Sequence, residues 1–263
     1  MIVLLLVLGG LVFGSFVNAL VWRLHEGRDW VKERSECMHC HHELAPQDLV
    51  PVLSWLYLRG KCRYCHRPIQ DSPLVELALP AAWLISYLYW PGPLQGLGLF
   101  AFIVWLIFLI GFLALAVYDL KWLLLPDVIV WPLVVLAFVQ LAAGPVFFGG
   151  AWAAVADGLL GACTMSGLFL LIYLISKGNW IGFGDVKLAL ALGALAGGIL
   201  PALLVLFVAS LLGSFVALVL ALQGKAGRKT QLPFGPLLIA GTVVVVLFGQ
   251  RLIDWYSGFL IGA

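Results

Sequence analysis

The chain has 263 residues, of which 63% are hydrophobic and only 11% are charged, and its formal net charge is +2. A soluble domain carries about 25% charged residues, so this composition excludes an ordinary water-soluble fold. The small net charge gives no reason to expect nucleic acid as a partner. The mean hydropathy of +1.08 predicts an all-α membrane protein surrounded mainly by lipid.

Eight apolar segments are long enough, or nearly so, to cross a bilayer, which takes about 20 residues of helix. They lie at residues 2–22, 74–90, 97–118, 128–148, 151–176, 186–199, 201–222 and 234–256. The breaks between them carry turn residues such as Pro91-Gly92-Pro93. The sequence therefore predicts a polytopic transmembrane helical bundle of about eight spans. In the first span, Gly10 and Gly14 are four residues apart, which favours close packing against another helix.

Lysine and arginine residues are concentrated on one side of this predicted bundle. Every one of them except Arg251 lies in or beside a connection that follows an odd-numbered span. Because cytoplasmic loops are enriched in Lys and Arg, we expect these connections to face the cytoplasm. Both termini are then expected outside.

One sizeable polar segment, residues 23–72, separates the first span from the second. A segment of about 50 residues buries too small a core to fold without a metal ion or a covalent cross-link. The segment contains two CxxC knuckles, whose cysteines are Cys37, Cys40, Cys62 and Cys65. Two such knuckles are typical of a structural zinc site, because each turns two thiolates towards one tetrahedral ion. Disulfides are the competing interpretation, but the predicted cytoplasmic side is reducing. Nearby histidines could replace a cysteine, although four cysteines already complete the shell.

These features predict three parts of the chain. Residues 1–22 form a first transmembrane helix, residues 23–72 a small zinc-stapled cytoplasmic segment, and residues 73–263 a transmembrane catalytic core.

Two aspartates stand where predicted spans meet the cytoplasmic face. Asp119 ends the third span and Asp185 begins the sixth, and a carboxylate at that depth is costly enough to indicate a function. Two carboxylates that approach each other share one proton, which is the requirement of aspartyl proteolysis. The alternative is a pair of helix-end carboxylates solvated at the interface. Asp127 is the rival partner for Asp185, but its position after Leu125-Pro126 indicates a helix N-cap.

The residues around the second aspartate indicate how a substrate would approach. Gly182 and Gly184 precede Asp185, and glycine lets the backbone bend and come close to an extended substrate strand. We therefore expect them to form a substrate loop. Glu76, at the start of the second span, is expected either to line the site or to face the zinc segment.

Taken in order, the motifs resemble the type IV prepilin peptidase family of GxGD aspartyl membrane proteases. The GxGD sequence ends at Asp185, and Asp119 lies upstream. The other similar motifs are Gly14-Ser15-Phe16-x-Asn18, Asp48-Leu49-x-Pro51, the two CxxC knuckles, Pro73-Leu74-Val75-Glu76 and Pro233-Phe234-Gly235-Pro236. Two positions depart from the family pattern, because Met38 replaces a frequent proline and Ser72 replaces a usual tyrosine.

The resemblance implies a bifunctional enzyme of the bacterial inner membrane. Such enzymes remove the basic leader of prepilins or pseudopilins after a glycine, and then methylate the new terminal amine with S-adenosylmethionine. The family's catalytic aspartates correspond to Asp119 and Asp185, whereas no residues are assigned to the methyl donor. Two other classes stay open. A zinc-stabilised assembly factor would need no aspartate pair, and a small transporter would usually place its carboxylates near the membrane midplane.

Overall fold

The computed structural model describes residues 1–69, 72–225 and 232–261. Within these ranges the chain forms nine α-helices and a short 3-10 turn at Pro46–Asp48. The helices are α1 (Ile2–His25), α2 (Leu53–Tyr57), α3 (Pro73–Tyr89), α4 (Gly96–Trp122), α5 (Asp127–Phe148), α6 (Trp152–Ser176), α7 (Phe183–Ala196), α8 (Ile199–Leu222) and α9 (Gly235–Ile261). The predicted all-α class is confirmed.

Each of the eight predicted spans coincides with one of these helices, and only α2 lies in the polar segment. Among the described residues, six helices are long and apolar enough to cross a membrane, namely α1, α4, α5, α6, α8 and α9. The chain is therefore a multi-pass membrane protein. Helix α3 is shorter, with 17 residues. Helix α7 has 14 residues, or about 21 Å at 1.5 Å per residue, which is less than the hydrocarbon thickness of about 30 Å.

The chain divides into two compact units, Met1–Leu88 and Tyr89–Ala263. Helix α1, the polar segment and most of α3 thus belong to one unit, which we call unit 1, and the remaining helices form unit 2. The finer division at residues 22 and 72 stays a prediction.

Glycines bring α1 and α3 into close contact in unit 1. A Cβ atom on Gly10 would lie 2.5 Å from Pro80 Cα, and one on Gly14 would lie 2.8 Å from Glu76 Cα. Neither position has room for a larger residue, so the predicted packing role of these glycines is confirmed. Glu76 faces the polar segment, where its carboxylate accepts a hydrogen bond from the Val52 N–H.

Helix α7 lies at the centre of unit 2 and contacts α5, α6, α8 and α9. Its Leu188 and Leu192 are fully buried. Its closest neighbour is α6, because a Cβ atom on Gly161 or on Gly193 would lie 2.4 Å from the carbonyl oxygen of the other glycine. The helix begins three residues before the predicted span and ends where Gly197 takes a φ of +75°, a left-handed conformation that favours glycine. A short central helix therefore carries Asp185 at its beginning.

Candidate active site and metal centre

Asp119 lies in the last turn of α4 and is 6% exposed. Its Oδ2 accepts a buried hydrogen bond of 3.2 Å from the backbone N–H of Gly235, the first residue of α9. The first N–H groups of a helix have no partner within the helix, so the start of α9 can orient this carboxylate.

Asp185 occupies the first turn of α7, in which Gly182 is the N-cap. The Asp185 N–H donates to the Gly182 carbonyl at 3.1 Å, and the Asp185 carboxylate lies beside the backbone of Gly182. The carboxylate also lies within electrostatic reach of Asp119, so the structure brings the two predicted aspartates to one end of unit 2.

Leu125 fills the space between the two helix starts that carry this site. A Cβ atom on Gly184 would lie 3.0 Å from Leu125 Cβ, and one on Gly235 would lie 3.3 Å from Leu125 Cδ2. The short connection between α4 and α5 therefore packs against both α7 and α9 beside Asp119. Gly184 itself lies inside α7 and not in the preceding loop, so its contribution is space for Leu125.

Asp127 does not take part in the carboxylate pair. It is the first residue of α5, with Pro126 as the N-cap, so its expected role as the N-cap is corrected by one position. Its carboxylate forms an ion pair with the Lys187 ammonium on α7. This pair ties the start of α5 to the start of α7, next to Asp185.

A hydrogen bond also joins α7 to α6. The Ser166 hydroxyl on α6 donates a hydrogen bond of 3.0 Å to the Val186 carbonyl, one residue after Asp185. The sequence analysis did not identify the contacts of Ser166 and Leu125, since neither residue belongs to a recognisable motif. The pairing of Asp127 with Lys187 could have been found, because the predicted topology places these opposite charges at the same face.

The four predicted zinc cysteines form one cluster in unit 1. Their Sγ atoms all lie within 4.8 Å of one another, and the Cys37 and Cys65 sulfurs are 3.7 Å apart. Zinc–sulfur bonds of about 2.3 Å in a tetrahedron place sulfurs about 3.8 Å apart, so the cluster fits one zinc ion. All five cysteines lie in the described part of the chain and none forms a disulfide.

The two knuckles share one backbone design. Cys37 N–H donates to the His42 carbonyl and Cys62 N–H donates to the Arg67 carbonyl. In each knuckle the histidine after the second cysteine takes a positive φ, 54° at His41 and 57° at His66. Burial raises the pKa of the Cys37 thiol, but hydrogen bonds from the knuckle backbone and from the Cys62 and Cys40 side chains together outweigh that effect and lower the pKa to about 7. A thiolate ready to bind metal is thus favoured at Cys37.

Side chains outside the cysteines join the knuckles. The His42 and Tyr64 rings stack with centroids 3.6 Å apart. Asp48 accepts hydrogen bonds from Arg63 Nε at 2.7 Å and from the Tyr64 hydroxyl at 3.1 Å. Burial raises the pKa of Asp48, but these hydrogen bonds outweigh it and hold the pKa below its usual value. His41 contacts Glu36, so the histidines support the fold around the cluster.

Two family models match the chain. The bacterial peptidase A24 N-terminal domain matches residues 8–90, and the type IV leader peptidase family matches residues 106–218. The second match contains Asp119 and Asp185, and the first contains all four clustered cysteines.

Curated relatives align over nearly the full length. A protein named prepilin leader peptidase/N-methyltransferase from Pseudomonas aeruginosa is 32% identical over 98% of this chain and 94% of its own length. A protein of the same name from Bacillus subtilis is 30% identical over 96% of this chain and 97% of its own. A type 4 prepilin-like proteins leader peptide-processing enzyme from Escherichia coli is 32% identical over 90% and 91%. No solved structure matches the chain.

Proposed function

The chain belongs to the type IV leader peptidase family, and we propose that it removes the basic leader of type IV prepilins or pseudopilins after a glycine and then N-methylates the new terminus. The observation that supports the cleavage activity is that Asp119 and Asp185 lie within electrostatic reach of each other at one end of unit 2. Carboxylates at helix ends, and not at the middle of a helix, also disfavour a transporter.

Asp119 and Asp185 are the proposed catalytic pair. One carboxylate is ionised and takes a proton from the attacking water, while the other is protonated and donates to the scissile carbonyl oxygen. The resulting tetrahedral intermediate collapses as the leaving amine receives a proton, and the C–N bond breaks. The Gly235 N–H orients Asp119 for this step, and the first turn of α7 positions Asp185.

The substrate is proposed to arrive as an extended strand beside the start of α7. A Cβ atom on Gly182 would meet only ordinary van der Waals neighbours, so the backbone there is open to the approaching peptide, and Gly184 keeps the helix start close to Leu125. The prepilin's apolar helix stays in lipid. The cleft at the pair therefore has to open towards both lipid and water.

The pair is proposed to lie at the cytoplasmic face, with both chain termini outside. Lys121, Lys177 and Lys187 lie at the ends of α4, α6 and α7, the same helix ends that surround the aspartates. Cytoplasmic ends are enriched in such residues. A cytoplasmic site also matches a leader that remains inside the cell while the pilin helix occupies the bilayer.

Zinc is the metal proposed for Cys37, Cys40, Cys62 and Cys65. Four thiolates close the coordination shell, and a closed shell offers no position for a reacting water. We therefore give the ion a structural role in residues 23–72 and assign bond breaking to the aspartates alone.

Methyl transfer is proposed to use S-adenosylmethionine, whose sulfonium supplies an electrophilic methyl group. The acceptor must be the neutral amine, and an α-amino pKa of about 7.7–8.0 leaves part of it neutral near pH 7. The N–C bond would form as the C–S bond to the methyl group breaks, and S-adenosylhomocysteine would leave. The protein's task would be to hold the amine and the donor together and to release the amine proton to solvent.

A single experiment tests both activities. Purified full-length protein in detergent is incubated with a prepilin, with and without S-adenosylmethionine, and the products are weighed by mass spectrometry. We expect cleavage after the leader glycine in both samples, and a mature chain heavier by one methyl group only with the donor. An intact prepilin in both samples would overturn the proposed peptidase.

A further inference from the structure

Unit 1 contains a cavity of about 180 Å³ that the cleavage step does not use. Its wall is formed by the end of α1, the start of α3 and the polar segment between them, and Cys37 and Cys62 lie at one edge. The cavity is therefore adjacent to the proposed zinc site and separate in sequence from both aspartates.

Two buried polar atoms in this wall have no hydrogen-bond partner among the described residues. The Asn18 side chain is 5% exposed, and its Nδ2 donates to the Ser72 carbonyl at 3.5 Å, which leaves Oδ1 with no hydrogen bond among the described residues. The buried Nε1 of Trp55 also has no partner there. A buried polar group that stays unpaired is destabilising, so both groups indicate a site built to receive a ligand.

A strained turn fixes the position of Glu76 in the same wall. Val52 has φ +61° and ψ −48°, and Leu53 N–H donates to the Pro51 carbonyl across it. This is the rare and strained form of the γ-turn, and a positive φ is exceptional for a β-branched residue. The turn directs the Val52 N–H at Glu76 Oε2, 2.6 Å away. Strain of this kind accumulates at functional sites.

Most charged side chains around the cavity are neutralised by a partner. The pairs are Arg28 with Glu26, Glu33 and Glu36, Arg34 with Glu43, and Arg63 with Asp48. Two are not. Among the described residues, Arg23 donates only to the Trp30 carbonyl and the Ser35 hydroxyl, and Glu76 accepts only from Val52. Within the described part of the chain, the wall thus presents one cation and one anion without a partner of opposite charge.

We propose that this cavity binds the zwitterionic methionine part of S-adenosylmethionine, with Glu76 facing its cationic groups and Arg23 its carboxylate. The inference rests on the proposed methyl transfer and assigns the donor site to unit 1. A ligand with charges of both signs matches the two unpaired side chains, whereas a simple anion or cation would leave one of them unmatched. Asn18 and Trp55 then supply an acceptor and a donor to the polar edges of the ligand.

Equilibrium binding tests this assignment directly. Zinc-loaded full-length protein in detergent is titrated with S-adenosylmethionine by calorimetry, alongside Glu76→Gln and Arg23→Gln. The amide in Glu76→Gln still accepts from the Val52 N–H, so the charge alone is removed. Asp157→Asn is the matched control, because Asp157 is an exposed carboxylate on α6 that does not line the cavity. Zinc content and melting temperature establish that each variant is folded.

We expect the wild type and Asp157→Asn to bind the donor equally, and both other variants to raise Kd at least about tenfold. Should Glu76→Gln fail to fold, Arg23→Gln carries the test. Wild-type affinity in the folded variants would overturn the assignment, as would a wild type that cleaves prepilin yet binds no donor. A wild type that binds the donor but leaves prepilin intact would instead count against the proposed peptidase.

Discussion

The cysteine cluster and the aspartate pair each join residues that are distant in sequence, but they are built in different ways. Each knuckle is formed by a few consecutive residues whose own backbone hydrogen bonds orient two sulfurs, as at Cys37 and Cys62. The aspartates depend on the ends of four helices, with Gly235 and Leu125 holding the carboxylates in place. A site built locally tolerates changes elsewhere, whereas a site built from helix ends is sensitive to any shift of those helices.

The largest effect on leader cleavage is expected from the aspartates themselves. Asp119→Asn and Asp185→Asn each remove one of the two carboxyl groups that would share a proton. We expect at least about a 1,000-fold loss of kcat in a mass-spectrometric cleavage assay. Asp157→Asn is the matched control, because Asp157 is an exposed aspartate on α6 and the change should leave activity near the wild type. Near-normal cleavage by either of the first two variants would disprove the pair.

Gly235→Ala tests whether the aspartate pair is as sensitive to a shift at a helix end as this comparison implies. The added Cβ would lie 2.8 Å from Asp119 Oδ2, so the carboxylate has to move, and a shift of about 1 Å can cost about 100-fold in rate. We expect a loss of that size in kcat with the melting temperature little changed. Gly258→Ala on the same helix, where a Cβ meets nothing within 4 Å, should remain fully active. Equal activity of the two variants would remove Gly235 from the site.

Gly184→Val and Gly182→Ala test whether the site needs room for Leu125 beside Gly184 or a flexible backbone at Gly182. A Cβ at Gly184 is 3.0 Å from Leu125 Cβ, whereas one at Gly182 has its nearest neighbour at 3.6 Å, an ordinary contact. We expect Gly184→Val to lower kcat about tenfold by displacing the start of α7, and Gly182→Ala to be close to the wild type. A strong loss at Gly182 as well would mean that loop flexibility, and not space, matters. Full activity of Gly184→Val would refute the packing role.

The smallest effect on cleavage is expected from the metal site. Cys37→Ser should lower the zinc content from about one ion per chain and expose residues 23–69 to limited proteolysis, while cleavage falls only about two- to threefold because the closed ion takes no part in it. Methylation should fall further, since the proposed donor cavity borders the cluster. Cys163→Ser, which changes the one cysteine outside the cluster, serves as control. Equal loss of both activities in folded Cys37→Ser would argue against this separation.

The helices and the cysteine ligands were within reach of the sequence alone. Long apolar runs have few structures open to them in lipid, because every backbone polar group must be paired internally, so eight spans could be located and each coincides with a helix. The knuckle geometry follows from residues adjacent in the chain, and the cluster of four sulfurs is confirmed. The close packing of Gly10 and Gly14 against another helix was likewise predicted from their spacing, whereas the structure identified α3 as that helix.

The tertiary structure decided the features that depend on distant parts of the chain meeting. Asp119 and Gly235 are 116 residues apart, and no local pattern encodes the hydrogen bond between them. The same holds for Leu125 between α7 and α9 and for the cavity bounded by Asn18 and Glu76. Periodicity and spacing determine which elements form, because those elements are stabilised by near neighbours. Which helix ends meet, and at what distance, is determined only by how the side chains of separate helices pack.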